Sequence, residues 1–432
     1  MKLSAIRYGS SIDAAVMLLL FSYPTLMLTL KGGMNTAFIL LLLLTLVVAI
    51  KRPQELPAVV WRRDWTLYLL AMTGMTIAIF LSQLANQKFG GHAHDAATRY
   101  WLAIPLFLLL QRMRVSVFQV LQFTFPIAAI VGFLLANNII GNVYLDLGGR
   151  VGISTIDLIH FGDFELLFGV VALLSIDWFA HDKPLVRGLK MLGFIAGLLT
   201  SIATGSRGGW VAIPVFIALF IYFNAHKNSW RLINSAALTI IFSVTLLFTT
   251  NNPITQRFFE TTNDVTTFDK GNRDTSTGIR LQLYKAATDV FIRHPIFGVG
   301  PEGYAGEMQS LMDAGKLTPL AADLGRGEVH NDLLSKAAGM GIFGVLAMLA
   351  IYLVPFYLFW KVRKSSVAMV KRAALIGAVF IAGHAVFGLT VEFLNLALAT
   401  AFYSFTVAVL LALCYNLHHP AQASFNKDSS HV

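Results

Sequence analysis

The sequence predicts an all-α membrane protein that crosses the bilayer about twelve times and carries one large, partly helical loop on its outer side. Three observations predict it. Of 432 residues, 56% are hydrophobic and only 13% charged, roughly half the share of charge in a soluble domain. Apolar runs of about 17 to 25 residues recur along most of the chain, each long enough to cross hydrocarbon as a helix. The runs are continuously apolar, whereas strands closed into a barrel would alternate with a period of two.

The formal charge of +10 does not describe a nucleic-acid surface, because the basic residues cluster between apolar runs. Read as a topology signal, alternating sides place 19 of the 33 Lys and Arg in inner segments and 5 in short outer ones. Both termini are therefore expected on the cytoplasmic side. The single Cys414 has no partner for an internal disulfide. The first apolar run exceeds a signal-peptide core and no small-residue cleavage site follows it, so it is expected to stay as a span.

In order, the expected spans are 12–30, 37–50, 66–84, a short one at 100–110, and 118–136. A sixth follows at 159–179, a seventh rises to Ser206, and an eighth covers 210–223. The ninth ends near Thr249, the tenth starts at His330, and the last two cover 373–389 and 394–417. Basic clusters mark the inner turns: Lys51, Arg52, Arg62 and Arg63; Arg112 and Arg114; 181–190; Lys227 and Arg231; and Lys361 through Arg372. The chain thus divides into nine helices over 1–249, a large loop over 250–329, three helices over 330–417 and a tail at 418–432. No internal repeat is clear enough to indicate an inverted-repeat transporter.

The large loop is expected to fold. Ile279, Leu283, Ala286 or Ala287, and Val290 fall on one helical face, and Pro295 ends that helix. Ten carboxylates balance its eight basic residues, so it is not a simple polyanion patch. A helical cap over the membrane domain fits this composition.

Chemistry concentrates in three places. His330 opens the tenth span where water meets hydrocarbon, and Gly339, Gly341 and Gly344 behind it would let another helix approach closely. Position alone suits an interfacial histidine as well as a catalytic one. Arg207 stands in Ser206-Arg207-Gly208-Gly209 between two spans, with open backbone amides and a planar guanidinium suited to phosphate oxygens. Snorkelling at the interface is the bland reading. Arg280 lies at the start of the loop helix, where the macrodipole favours an anion, although a solvated cation would sit there equally well. Arg257, Arg273, Arg326 and Arg150 are weaker candidates. Gly298, Gly300 and Gly303 shape a turn rather than a dinucleotide fingerprint, because no parallel sheet presents them. His294 before Pro295 reads as structural. His92 and His94 lack the further partners a metal needs, and His384 and Glu392 suit the lining of a site or a buried polar pairing.

The pattern His330-Asn331, nine residues, Gly341, two residues, Gly344 resembles the signature of the bacterial O-antigen ligases. Ser-Arg-Gly-Gly at 206–209, and Gly278-Ile279-Arg280 followed by 294–301, are similar to the same superfamily's arginine segments. The likeness covers about residues 190 to 350 in motif terms. It implies a fold like the C-type glycosyltransferases, a bacterial inner-membrane location and a periplasmic active site. It implies inverting transfer of a polysaccharide from undecaprenyl diphosphate to lipid A-core oligosaccharide without metal or other cofactor. Arg207 and Arg280 would then hold the donor diphosphate, and His330 would take the proton of the acceptor hydroxyl. Asn331, Arg257 and Arg273 join the expected substrate contacts. An O-antigen polymerase or a protein O-oligosaccharyltransferase of the same superfamily is the nearer rival. A lipid-linked sugar transporter is the rival from another class, and it predicts charged residues inside several spans.

Overall fold

The computed structural model describes residues 2–51, 56–59, 61–224 and 273–416. The ninth expected span, the first part of the large loop with Arg257, and the tail lie outside the described residues. The helices in order are α1 (Lys2–Thr29), α2 (Gly33–Lys51), α3 (Arg63–Asn86), α4 (His92–Leu110), α5 (Leu121–Ala136) and α6 (Leu158–Leu174). Next come α7 (Pro184–Thr204), the single turn α8 (Arg207–Trp210) and α9 (Ala212–Asn224). The loop supplies α10 (Ser276–Arg293), α11 (Tyr304–Asp313) and α12 (Pro319–Gly325), and α13 (Asp332–Lys361), α14 (Ala368–Phe387) and α15 (Ala397–Cys414) complete the chain.

Nine helical segments among the described residues are long and apolar enough to cross a membrane. Two expected spans fall outside that number for simple reasons. Helix α4 begins at His92, so the polar stretch expected as loop forms its first turns, and α6 has only 17 residues. One element departs from the all-α expectation: a two-stranded antiparallel hairpin, β1 (Tyr144–Asp146) and β2 (Val151–Ile153), in the outer loop after α5. Gly148 and Gly149, both at positive φ, form its turn, and Asp146 Oδ1 accepts from the Gly149 amide.

Local signals set the ends of the site-bearing helices. Asp157 caps α6 by accepting from the amides of Ile159 and His160. Pro184 opens α7 and left-handed Gly205 closes it, the usual asymmetry of proline in and glycine out. Thr275 caps α10 and Asn331 caps α13. At the centre of the bundle, α15 is buried without interruption from Ala399 to Cys414.

The loop helices form the expected cap. Ile279, Leu283, Ala286, Ala287 and Val290 are all buried, sharing a small core with Met308, Leu311, Ala321 and Ala338. That core docks on α13 where α13 is broken, at Gly341 (φ 60°, ψ −147°). The glycines of this motif therefore admit something other than another helix. A turn of the loop enters: Val299 and Gly300 donate to the Ala338 and Gly339 carbonyls, and Ile342 donates to Pro295. Ser82 of α3 closes the joint, its hydroxyl lying 2.6 Å from the Phe297 carbonyl and 3.0 Å from that of Gly339. Gly344 instead faces the Lys336 turn of its own chain across the break.

Gly298 sits in this joint at φ 63°, and a Cβ there would meet the Gly339 carbonyl carbon at 2.3 Å. Gly298→Ala should cost about 3 kcal/mol from left-handed strain plus overpacking. Gly306, inside α11 with nothing near its Cβ position, is the control; its change to Ala should be neutral or gain about 0.5–1 kcal/mol. Thermal unfolding in detergent, with proteolysis of the loop as a second readout, measures both.

Candidate functional site

His330 occupies an unusual backbone position. It takes φ 60°, which non-glycine residues seldom adopt, immediately before the α13 cap. Its neighbours hold it there. The Glu392 carboxylate accepts from the Val329 amide and, at 2.9 Å, from the Ser335 hydroxyl. Asn331 caps α13 through Oδ1, and its amide donates to the Leu389 carbonyl at 3.1 Å. The Asp332 amide donates to Gly388, while its carboxylate accepts from the Leu394 amide and the Tyr352 hydroxyl. The start of α13 is thereby clasped to the connection between α14 and α15. Within the clasp, His330 Nδ1 lies 2.6 Å from Glu328 Oε1, with 16% of the imidazole exposed.

Tyr284 ties the loop helix to the same point. Its hydroxyl lies 3.0 Å from the His330 carbonyl and 2.7 Å from that of Leu389. Burial pushes that hydroxyl above the ordinary tyrosine range, although Arg280 opposes the shift, so it stays a donor. Residues four apart share a helix face, so Arg280 stands one turn before Tyr284 on the side facing the membrane domain. Arg280 is half-buried.

Asp163 of α6 meets the other arginine segment at Gly209. It is fully buried, and neither carboxylate oxygen has a hydrogen-bond partner among the described residues. Oδ1 presses on Gly209, where a Cβ would come within 2.2 Å; Gly208 is equally tight against Thr390, and Gly162 against Thr204. The glycines after Arg207 thus seat the turn on α6 and on the α14–α15 connection. Arg150 steadies it from the hairpin, donating from Nε to the Thr204 carbonyl at 2.7 Å. Arg207 itself is half-buried.

A cavity of about 760 Å³ opens between the start of α6, the end of the loop and the α14–α15 connection. Asp157, His160, Glu328, His330 and Glu392 supply its polar wall, and Ile159, Leu396 and Leu398 are among its apolar residues. Arg207 and Arg280 do not line this cavity. Arg280 lies one turn before Tyr284, whose hydroxyl meets the carbonyl of the lining residue His330, and the glycines after Arg207 pack on Asp163 and Thr390.

The remaining candidates are placed elsewhere or otherwise engaged. Arg273 is exposed, and Arg326 faces Asp323 at 3.4 Å on the surface. His92 is exposed near Glu302, whereas His94 contacts Gln83. His294 is exposed at the end of α10. His384 is buried among aromatic rings with Nδ1 at 2.8 Å from the Phe380 carbonyl. Among the described residues, no three His, Cys, Asp or Glu side chains gather as a metal site.

Sequence reasoning passed over the outer half of α6. Asp157, His160 and Asp163 recur every three residues on one face, and Glu165 follows, buried against Gly132. The charges therefore do not gather only at the outer ends of spans. Ionisable residues inside a span are a functional signal in themselves, and this run held two carboxylates.

Fold and site together define a polytopic helical membrane protein that carries a histidine–carboxylate pair on the wall of a cavity and two half-buried arginines on neighbouring elements. Residues 192–349, which carry Arg207, Arg280 and His330, match the O-antigen ligase family. Over 331 residues the chain is 24% identical to an uncharacterised protein of Haemophilus influenzae, covering 75% of this chain and 80% of that one. Over 200 residues it is 26% identical to an O-antigen ligase of Escherichia coli K12, covering 46% of each. The family match and the Escherichia coli relative support a member of the O-antigen ligase/polymerase superfamily.

Glu392 offers a pH test of the clasp. Burial raises its carboxyl above the usual 4.5, against the opposing pull of Lys336 and the Val329 amide. Folding therefore raises this group's affinity for its proton. Its contribution is fullest below about 4.5 and is lost as pH rises through the shifted value. Glu392→Gln, neutral at every pH, should melt a few degrees above the unsubstituted protein at pH 8. The gap should narrow as pH falls toward 4.5 in detergent melts.

Proposed function

We propose that the protein is an O-antigen ligase, transferring polysaccharide from undecaprenyl diphosphate to lipid A-core oligosaccharide on the periplasmic side of the inner membrane. The carrying observation is His330 paired with Glu328 at 2.6 Å on the wall of a large cavity with an apolar side. Such a cavity suits amphiphilic substrates entering from the bilayer.

The reaction is an inverting displacement. The acceptor hydroxyl oxygen bonds to the anomeric carbon of the donor sugar. The bond from that carbon to the diphosphate oxygen breaks, and the diphosphate leaves with the electron pair. The hydroxyl proton passes to His330 Nε2, because Nδ1 is turned to Glu328, whose carboxylate holds the ring. Diphosphate is already a good leaving group, so its charge needs stabilising rather than protonation. Arg207 and Arg280 supply that, permanently charged and able to fork two hydrogen bonds onto phosphate oxygens. Metal is not required for this step. Asn331 serves by positioning, since its side chain is committed to the clasp. The similarity to an Escherichia coli O-antigen ligase favours this reading over a polymerase or a protein-glycosylating enzyme.

His330→Ala should fold, insert and still bind donor, but lose transfer by about 10²-fold or more. Glu328→Gln, which keeps the contact without the charge, should lose roughly tenfold. Reconstituted transfer to core oligosaccharide, glycan chain extension and a protein acceptor, compared side by side, decides among the three superfamily chemistries. Near-normal ligation by His330→Ala removes the base assignment.

Arg207→Ala and Arg280→Ala should each cost roughly ten- to a hundredfold, the range expected for losing a charge-assisted hydrogen bond of about 1.5–3 kcal/mol. Lys at either position should recover only part, because it lacks the planar fork. The double Ala variant should fall short of the product of the single losses, since both residues serve one diphosphate. Transfer and undecaprenyl diphosphate binding, measured at matched protein amounts, test this. Wild-type values for Arg280→Ala return that arginine to a surface role.

A further inference from the structure

The mechanism leaves unused a second histidine–carboxylate pair on the same cavity. His160, in the first turn of α6, is 3% exposed, and its Nδ1 lies 2.6 Å from Asp157 Oδ2. Asp157 uses its other oxygen to cap the helix, so the carboxylate is fixed from both sides. The imidazole stacks on Phe393 with ring centroids 4.6 Å apart, and Phe393 is itself packed against Phe164 and His384. The ring cannot swing away. Both ring nitrogens are buried and neither makes a hydrogen bond among the described residues; Nδ1 has the Asp157 ion pair, whereas Nε2 has no partner at all, a condition that is costly unless one arrives. His160 and Asp157 both line the cavity that His330 and Glu328 line.

We propose that His160 and Asp157 bind a sugar hydroxyl, so that the cavity holds a saccharide between two histidine–carboxylate pairs. This rests on the glycan-transfer reading above and adds a recognition residue to it. With one ring nitrogen committed to Asp157, the imidazole offers a single remaining donor or acceptor, and a hydroxyl satisfies either. The surrounding charge selects a neutral glycan over a phosphate, because Asp157, Glu328 and Glu392 share this wall and, among the described residues, no arginine does. The apolar residues opposite suit the carbon-bound faces of a sugar ring. That sugar belongs to either the donor polysaccharide or the acceptor core, and the test separates the two.

Three variants probe it in purified full-length protein. His160→Phe keeps a ring for Phe393, His160→Gln returns a hydrogen-bonding group, and Asp157→Asn keeps a competent helix cap while removing the charge. His160→Phe should raise KM for one of the two glycan substrates about tenfold, the scale of one lost hydrogen bond, with kcat within about threefold. His160→Gln should recover part of that loss, Asp157→Asn should fall between, and inhibition by inorganic pyrophosphate should not move. Calorimetric titration with soluble core oligosaccharide, and separately with released O-polysaccharide, should show the same loss for the same glycan. Unchanged KM and affinity for both glycans in His160→Phe overturns the proposal, as does a fall in kcat alone. Wild-type protein that binds the glycan but transfers nothing sinks the ligase reading while upholding the site. Activity in His330→Ala sinks only the base assignment.

Discussion

Everything at the outer face depends on how a broken helix satisfies its backbone. In hydrocarbon an unpaired N–H or C=O costs several kcal/mol, so irregular backbone survives there only where protein pairs it. Gly341 interrupts α13, and the loop segment at 295–300 supplies the replacement partners. The loop is therefore bonded into the membrane domain rather than resting on it. Its helix α10 carries Arg280 and Tyr284, and Tyr284 reaches the His330 carbonyl. The break, the docked loop and the placement of the arginine are one arrangement.

The site retains polar groups whose burial is unfavourable. Asp163 has no hydrogen-bond partner among the described residues, His160 keeps an unpartnered nitrogen, and His330 adopts a left-handed backbone. Each is worth of order 1–3 kcal/mol, and a bilayer-spanning fold optimised only for stability would replace them with apolar side chains. They occur together, around the outer end of α6 and the clasp of α13. Buried ionisable groups of this kind within a membrane protein are a functional signal.

Two kinds of glycine serve this site differently. Gly298 and Gly341 supply backbone angles that side chains resist, whereas Gly162, Gly208 and Gly209 supply room. The second kind lets the Arg207 turn lie directly on α6 and on Thr390. A motif such as Ser-Arg-Gly-Gly thus states less about anion-binding amides than about how closely that arginine's backbone approaches its neighbours.

The sequence by itself determined the helical membrane class, most span positions and the loop helix with its buried face from Ile279 to Val290, and it singled out His330, Arg207 and Arg280 as candidates. These follow from hydrophobic period, proline, capping residues and short motifs, all written within a few turns of chain. Tertiary structure alone decided what those residues meet. Tyr284 lies 46 residues from His330 and 105 from Leu389, and Glu392 lies 63 from Val329. Contacts at such separations depend on which helices become neighbours, which no local period encodes. For the same reason the glycines of α13 read as a helix-packing surface but admit a loop. His160 and Asp163, hidden in an apolar run, became visible only once α6 was seen to face the cavity and the arginine turn.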